Sequence, residues 1–469
     1  MKGISIDKFI KKNDMTSDFF VYMLGTILLN GISFLSTPIF TRLLTTSDYG
    51  ITTVFYTWTA FFAVFIGLQT SGSIATARVH MKPDEFGGYM KSIVVMSLLS
   101  GLVIASVSII IRRSVASLLN IDIRLIPHLL TQAFGMSCVT TYSVYTIQTK
   151  QPKKNVVFSI LIALCTVVTG LFLVLSIKEE KFLGKIYGGT VAYTIALLYV
   201  MKTFIPGNKS KVSLSHWKYA LALSFPLIIH LLSNIIIGQS DRLFLKSMIG
   251  DDAAGIYTVA YNIGVLGILF ADVCNNIWSP RYLDMTKAGE NRIINGMAKK
   301  YILMVCCVFI VVMLIAPEIL KIMAPSQYWG GLNSLVIITA GVFFQYLYRF
   351  PLAYEQFSKN LKWVAVCTVA SAMINMMLNY LFIKKTGLIG AAYATFLSYV
   401  ILFGLHEFVA RKIIKGYNIK FTTYLPGIVL CSGFAFIAIF LSNLWFIRYA
   451  LLLLFIGTAL LVSYRLRNK

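Results

Sequence analysis

The sequence predicts an all-α polytopic membrane protein of about fourteen transmembrane helices, arranged as two parallel six-helix lobes followed by two further helices. Three observations predict it. The chain has 469 residues, of which 58% are hydrophobic and 13% charged, whereas a soluble domain carries about a quarter charged residues. Apolar runs of about 20 residues, the length that crosses a bilayer as a helix, recur along the chain. Short motifs of the first half also return in the second at a separation close to 205 residues. A transmembrane β-barrel would show short alternating segments instead.

Residues 1–17 are basic, with Ile4, Ile6, Phe9 and Ile10 set between lysines. They read either as an amphipathic helix on the membrane surface or as a plain cytoplasmic tail. Apolar runs follow at 18–44, 49–76, 88–112, 124–148, 155–177, 184–205, 217–241, 254–279, 297–323, 330–356, 361–383, 387–409, 421–442 and 445–464. The first is too long for the core of a signal peptide and has no small-residue cleavage site after it, so it is expected to be a retained helix. The run at 124–148 is the least apolar, with Arg124 and Pro127 near its start. The expected division is an N-terminal lobe over 18–205, a cytoplasmic linker at 206–216, a C-terminal lobe over 217–410, and two extra helices within 411–469.

The formal net charge of +24 does not point to a nucleic-acid partner, because the basic residues sit in the short breaks between apolar runs. With the N-terminus inside, the inner breaks and tails carry 28 Lys and Arg against 13 on the outer side. That bias puts both termini in the cytoplasm and agrees with an even number of spans. No Walker A motif and no large soluble segment is present, so ATP is not an evident energy source. The seven cysteines (138, 165, 274, 306, 307, 367 and 431) lie almost entirely inside apolar runs, with no CxxC pair and no histidine at ligand spacing. They read as small buried hydrophobes, and no metal is expected.

The repeat is carried by several short matches. Residues 241–261 join two apolar runs, the first ending at Asp241-Arg242 and the second opening at Gly255-Ile256-Tyr257. Residues 42–56 have the same layout, with Arg42, a polar turn, and then Gly50-Ile51. Lys154-Asn155 returns as Lys359-Asn360, Gly184-x-x-Tyr187 as Gly390-x-x-Tyr393, and Arg78 as Arg281. Six spans repeat as six. An even number of spans keeps both repeats in one orientation, related by an axis along the membrane normal.

The motif Phe40-Thr41-Arg42-Leu43-Leu44 with Asp48-Tyr49-Gly50, and its counterpart Ser240-Asp241-Arg242 with Gly255-Ile256-Tyr257 and Tyr261, resembles the polysaccharide biosynthesis flippases. These are the Wzx-type exporters of the multidrug/oligosaccharidyl-lipid/polysaccharide superfamily, whose fold is MATE-like. The resemblance implies two lobes in a V around a central cavity. It implies that an undecaprenyl-diphosphate-linked oligosaccharide is moved from the inner to the outer leaflet of a bacterial plasma membrane by alternating access. Such a substrate has an anionic diphosphate and polar sugars that cannot enter hydrocarbon unaided, so a cavity with cationic and hydrogen-bonding walls is required.

Polar groups inside spans are costly and are therefore the candidates for substrate contact. Arg349 lies deep in 343–354, near Gln345 and Tyr346. It is expected either to hold a diphosphate with its planar guanidinium, or to snorkel or pair with Glu355. Pro351 is expected to kink that span. His230 and Asn234 are four apart on one helical face, beside Ser233 and Pro226, and read as a sugar- or proton-handling strip or as interhelical hydrogen bonding. Asn375 and Asn379, also four apart, read as cavity wall or as helix–helix contacts. Gln69, with Ser71, is a further cavity candidate. Asp272, followed by Asn275 and Asn276, is the candidate for proton or sodium coupling, or a structural ion pair. Arg42 and Arg242 with Asp48 and Asp241 are expected at the outer edge, as a gate or as interfacial anchors. Arg78 and Arg281 are expected at the inner mouth, attracting an anionic headgroup or following the positive-inside rule.

The first functional expectation is thus a lipid-linked oligosaccharide flippase with no resident cofactor, coupled or uncoupled to H+ or Na+. Its partners would be the bilayer, the undecaprenyl-diphosphate-linked glycan, and the polymerase and chain-length proteins of an O-antigen, capsule or exopolysaccharide pathway. A drug/cation antiporter of the same fold would favour an acidic cavity, whereas Asp272 is nearly the only deep acid here. An integral-membrane polymerase or glycosyltransferase would carry a long outer loop, and the outer breaks are close to ordinary connections in length.

Overall fold

The computed structural model describes residues 6–205, 211–442 and 444–467. The linker residues 206–210 and the first five residues of the basic N-terminal segment lie outside them. Every regular element among the described residues is helical. The chain divides into two compact units, Met1–Ile235 and Ile236–Lys469.

Unit 1 holds α1 (Ile6–Leu43), α2 (Thr46–Gly67), α3 (Ile74–His80), α4 (Pro83–Ile110), α5 (Arg112–Leu119), α6 (Ile126–Gln148), α7 (Pro152–Ser176), α8 (Phe182–Phe204) and the first part of α9 (Leu214–Met248). Unit 2 holds the rest of α9, α10 (Asp251–Gly264), α11 (Gly267–Ala288), α12 (Asn291–Leu314), α13 (Ala316–Met323), α14 (Leu332–Leu347), α15 (Arg349–Phe357), α16 (Leu361–Thr386), α17 (Leu388–Phe408), α18 (Leu425–Phe440) and α19 (Trp445–Arg467). Nine helices among the described residues are long and apolar enough to span a membrane, or eleven when each of two bent pairs is one span. The less apolar α6 and the shorter apolar α18 and α19 complete the expected set of about fourteen. The protein is a multi-pass membrane protein.

The division between the units falls inside α9, later than the 206–216 linker. Trp217, Tyr219 and Ala220 pack into the hydrophobic core of unit 1. The indole N–H of Trp217 donates to the Ser92 carbonyl at 2.8 Å, and His216 Nδ1 lies 3.0 Å from Ser92 Oγ. The start of α9 is therefore stapled to α4. Further on, α9 bends by 42° between Leu214–Phe225 and Leu227–Met248.

The repeat has a packing basis. A Cβ on Gly184 would lie 2.6 Å from the Val174 nitrogen, and one on Gly390 would lie 2.2 Å from the Phe382 carbonyl oxygen. Each glycine lets the second helix of its pair, α8 or α17, press backbone to backbone on the helix before it. The turns entering α7 and α16 also match. Lys150 and Lys359 both take a left-handed φ (56° and 57°) two residues before the helix. Gln151 N–H bonds the Thr146 carbonyl as Asn360 N–H bonds that of Glu355. The equivalent lysines are thus Lys150 and Lys359, which corrects the pairing of Lys154-Asn155 with Lys359-Asn360.

Two boundaries differ from expectation. The run at 49–76 is not one helix, because Leu68 and Gln69 both adopt left-handed φ (48° and 49°) and end α2 before a short 3-10 turn. The helix through Asp241-Arg242 does not end there. It continues to Met248, and the turn lies at Ile249 and Gly250 (φ 136°). Leu245 is fully buried past the charges, so packing extends the helix beyond the point where the apolar run stops.

Candidate functional site

Unit 2 holds the sharpest candidate. α14 and α15 form one candidate span that breaks at Tyr348. Pro351 sits in the first turn of α15, where its missing N–H costs little. The break places Arg349 at the first position of α15. Its Nη1 lies 2.5 Å from Oδ1 of Asp272 on α11. The Arg349 side chain is 20% exposed and that of Asp272 48%, so the pair is partly accessible rather than in the core. A guanidinium has five donors in a rigid fork, and Asp272 takes one of them. Gln345 is half-buried, Asn275 is half-buried and Asn276 is exposed. The Arg349–Glu355 pairing is not formed. Glu355 is fully buried and meets His406 Nδ1 at 2.8 Å through Oε2.

A second cluster in unit 2 is closed to the outside. Asp241 is 1% and Arg242 5% exposed, so in this structure the pair expected at the outer edge is packed against neighbouring helices rather than presented at a surface. Asp241 Oδ1 accepts from its neighbour's backbone N–H at 2.9 Å and faces Arg242 Nη1 at 3.3 Å, while Oδ2 accepts from the Thr395 hydroxyl at 3.3 Å. The Arg242 guanidinium also reaches the Gly238 carbonyl at 2.6 Å and lies 4.3 Å over the Tyr261 ring. Asn375 accepts from Ser240 Oγ at 2.9 Å and donates to Ser398 at 3.0 Å, and Asn379 Nδ2 donates to Asn375 Oδ1 at 3.1 Å. Both asparagines are fully buried. They are helix–helix contacts in this structure rather than an open wall. Asn379 Oδ1 alone of this group is a buried acceptor without a donor. The Asp241 carboxylate is already matched by the Arg242 guanidinium, so the cluster is a closed polar network.

In unit 1, His230 Nε2 lies 3.1 Å from Asn234 Nδ2 along α9, with both residues half-buried, and Ser233 turns its hydroxyl onto the Ile229 carbonyl at 2.8 Å. Gln69 is half-buried at the break after α2, beside buried Ser71. Arg42 is exposed at the end of α1 and donates to the Pro38 carbonyl at 2.7 Å. Asp48 forms the capping box of α2 with Thr45, so its carboxylate serves the helix start. Arg78 is exposed, 5.6 Å over the Phe86 ring, and Arg281 is exposed on α11.

Sequence reasoning missed two features. Lys185 points its ammonium at the faces of Tyr49, Phe40 and Tyr56 at 4.1, 5.0 and 5.8 Å, a cation–π box that only the α1–α2–α8 packing assembles. Arg448, 2% exposed on α19, meets Glu318 at 2.6 Å. The spacing of Ser240 and Asp241 from Arg242, with the Asn375–Asn379 pair, was the available signal for the closed cluster.

A sequence profile of the family described as "Polysaccharide biosynthesis protein" matches residues 15–277. No curated protein matches significantly. Among solved structures, the chain is similar to the lipid II flippase MurJ in an inward closed conformation, with 13% identity, a TM-score of 0.67, and coverage of 96% of this chain and 100% of that one. It is similar to an inward-facing multidrug resistance MATE family transporter of the MOP superfamily, at 13% identity and TM-score 0.59 over 87% and 94% of the two chains. It is also similar to a MOP superfamily transporter from Pyrococcus furiosus described by the reverse polarity of its binding pocket, at 16% identity and TM-score 0.54 over 90% and 95%. These likenesses establish a MurJ/MATE-like fold. With the profile covering more than half of its length, the chain belongs to the polysaccharide biosynthesis protein family.

Proposed function

We propose that this protein is a Wzx-type flippase, carrying an undecaprenyl-diphosphate-linked oligosaccharide repeat unit from the inner to the outer leaflet of a bacterial plasma membrane by alternating access, for assembly of a surface polysaccharide. The observation that carries the reading is Arg349. A partly exposed guanidinium within a span, bound to one carboxylate that is itself half exposed, retains donors for a phosphate. It fits a diphosphate bidentately where a lysine would offer a point charge. The family match and the MurJ-like fold support the same class of substrate. A drug/cation antiporter needs a free acid, and Asp272 is neutralised by Arg349.

The test is Arg349→Ala in a strain that lacks its own exporter and depends on this one. Surface polymer is expected to disappear while protein in the membrane fraction stays at the wild-type level. Arg349→Lys should restore only a minor part of it. Wild-type polymer in Arg349→Ala would remove this residue from the substrate path.

A further inference from the structure

A groove of about 380 Å³ lies on unit 1 between α6, α7 and α8, away from every residue assigned above. Its floor is aromatic. Tyr142 and Phe158 are buried with ring centroids 4.5 Å apart, and Phe158 stacks on Tyr199 at 5.3 Å. Its walls are aliphatic and open outward, with Leu161 and Ile195 at least half exposed. At one end stand Lys153 and Lys154, both exposed on the first turn of α7 and neither in an ion pair among the described residues. The Tyr142 and Tyr199 hydroxyls, 3.2 Å apart, are the other polar groups lining it.

We propose that this groove is a binding site for one anionic glycerophospholipid, with an acyl chain on the aromatic floor and the phosphate held by Lys153 and Lys154. An apolar slot that ends in two unpaired cations has the polarity of such a lipid, and basic pockets between transmembrane helices bind anionic headgroups by this chemistry. The lining has no carboxylate, carboxamide or arginine to recognise sugars or to grip a diphosphate bidentately. A phospholipid phosphate therefore fits it better than the glycosylated prenyl lipid proposed as cargo.

The test is dioctanoyl phosphatidylglycerol titrated into the purified, detergent-solubilised full-length protein, read by microscale thermophoresis. It should bind about five times more tightly than dioctanoyl phosphatidylcholine, whose choline cation cancels the phosphate charge, the effect of roughly one lysine's attraction to a net-anionic headgroup. Lys153→Gln with Lys154→Gln should weaken it about thirty-fold, at about 1 kcal/mol per lysine near an anionic lipid. Ile195→Trp, which fills the groove and keeps both lysines, should weaken it to a similar extent. The exposed pair Lys299 and Lys300 on α12 of unit 2 serves as control, and its double glutamine variant should bind like wild type. Equal affinity for the two lipids, unchanged binding in either groove variant, or an equal loss in the control would overturn the site. So would displacement of the lipid by undecaprenyl phosphate at equal or lower concentration, which would assign the groove to the transported lipid. Arg349→Ala should bind phosphatidylglycerol like wild type, so the outcome is independent of the transport reading.

Discussion

At the scale of single residues, the Arg349–Asp272 pair can be separated from a merely structural ion pair by exchange. An Arg349→Asp, Asp272→Arg double variant restores a salt bridge but moves the cation to another helix. If Arg349 contacts the diphosphate, the exchange should leave surface polymer as low as Arg349→Ala does. Recovery to the wild-type level would make the pair structural. The buried Asp241–Arg242 contact predicts a stability effect instead. Arg242→Ala leaves Asp241 desolvated without its cation and should cost about 3–5 kcal/mol of unfolding free energy. Asn375→Ala removes hydrogen bonds between apolar helices and should cost only about 1 kcal/mol. Detergent-solubilised unfolding of the two variants side by side checks the order. An Arg242→Ala protein as stable as Asn375→Ala would mean that Asp241 reaches water in solution.

At the scale of elements, breaks in helices matter more than their apolar interiors. Gln69 holds a left-handed backbone with a side chain ill suited to it, a strain of about 1–3 kcal/mol in comparable cases. Gln69→Gly relieves the backbone and deletes the amide, so it should raise thermal stability while lowering transport if the amide lines the path. Gln69→Ala keeps the strained backbone and deletes the amide, so it should lower transport without the gain in stability. Another element-level feature is the clasp between the loop before α6 and the loop before α8. Arg124 meets Asp122 at 2.6 Å and Glu180 at 2.7 Å. Hydrogen bonds from Arg124 hold both carboxyls below their usual range. A depressed carboxyl pKa adds stability above the unfolded value and loses it as pH falls through the folded one, so the clasp should be present at neutral pH and open in acid. Because the groups are exposed, high salt should weaken it as well. A fall in the amide protection factors of residues 123–125 on acidification, after correction for the slower intrinsic exchange in acid and absent in Arg124→Gln, would show the opening.

For the whole molecule, the positive-inside bias predicts that both ends of the chain face the cytoplasm. A fluorescent protein fused after Lys469 should therefore fold and glow, and alkaline phosphatase fused there should be inactive. The reverse result would invert every span and place the groove lysines at the outer leaflet. The duplicated layout was readable because it is fixed by short-range rules. Apolar runs set the spans, and glycines such as Gly184 and Gly390 recur where two helices must touch.

The sequence by itself determined the class, the approximate number of spans and the family, because hydrophobic length and short motifs are local properties of the chain. It also named Arg349 and Asp272 as costly residues inside spans. The tertiary structure decided which charges are partners. Asp272 and Arg349 are 77 positions apart and meet at 2.5 Å, while the nearer Glu355 turns to His406. It also moved Asp241 and Arg242 from a surface turn into a closed interior, where Thr395 and Tyr261 satisfy them. Hydropathy marks a charge as the end of a span, but a buried charge persists wherever other helices bring it donors and acceptors, and those arrive from far along the chain.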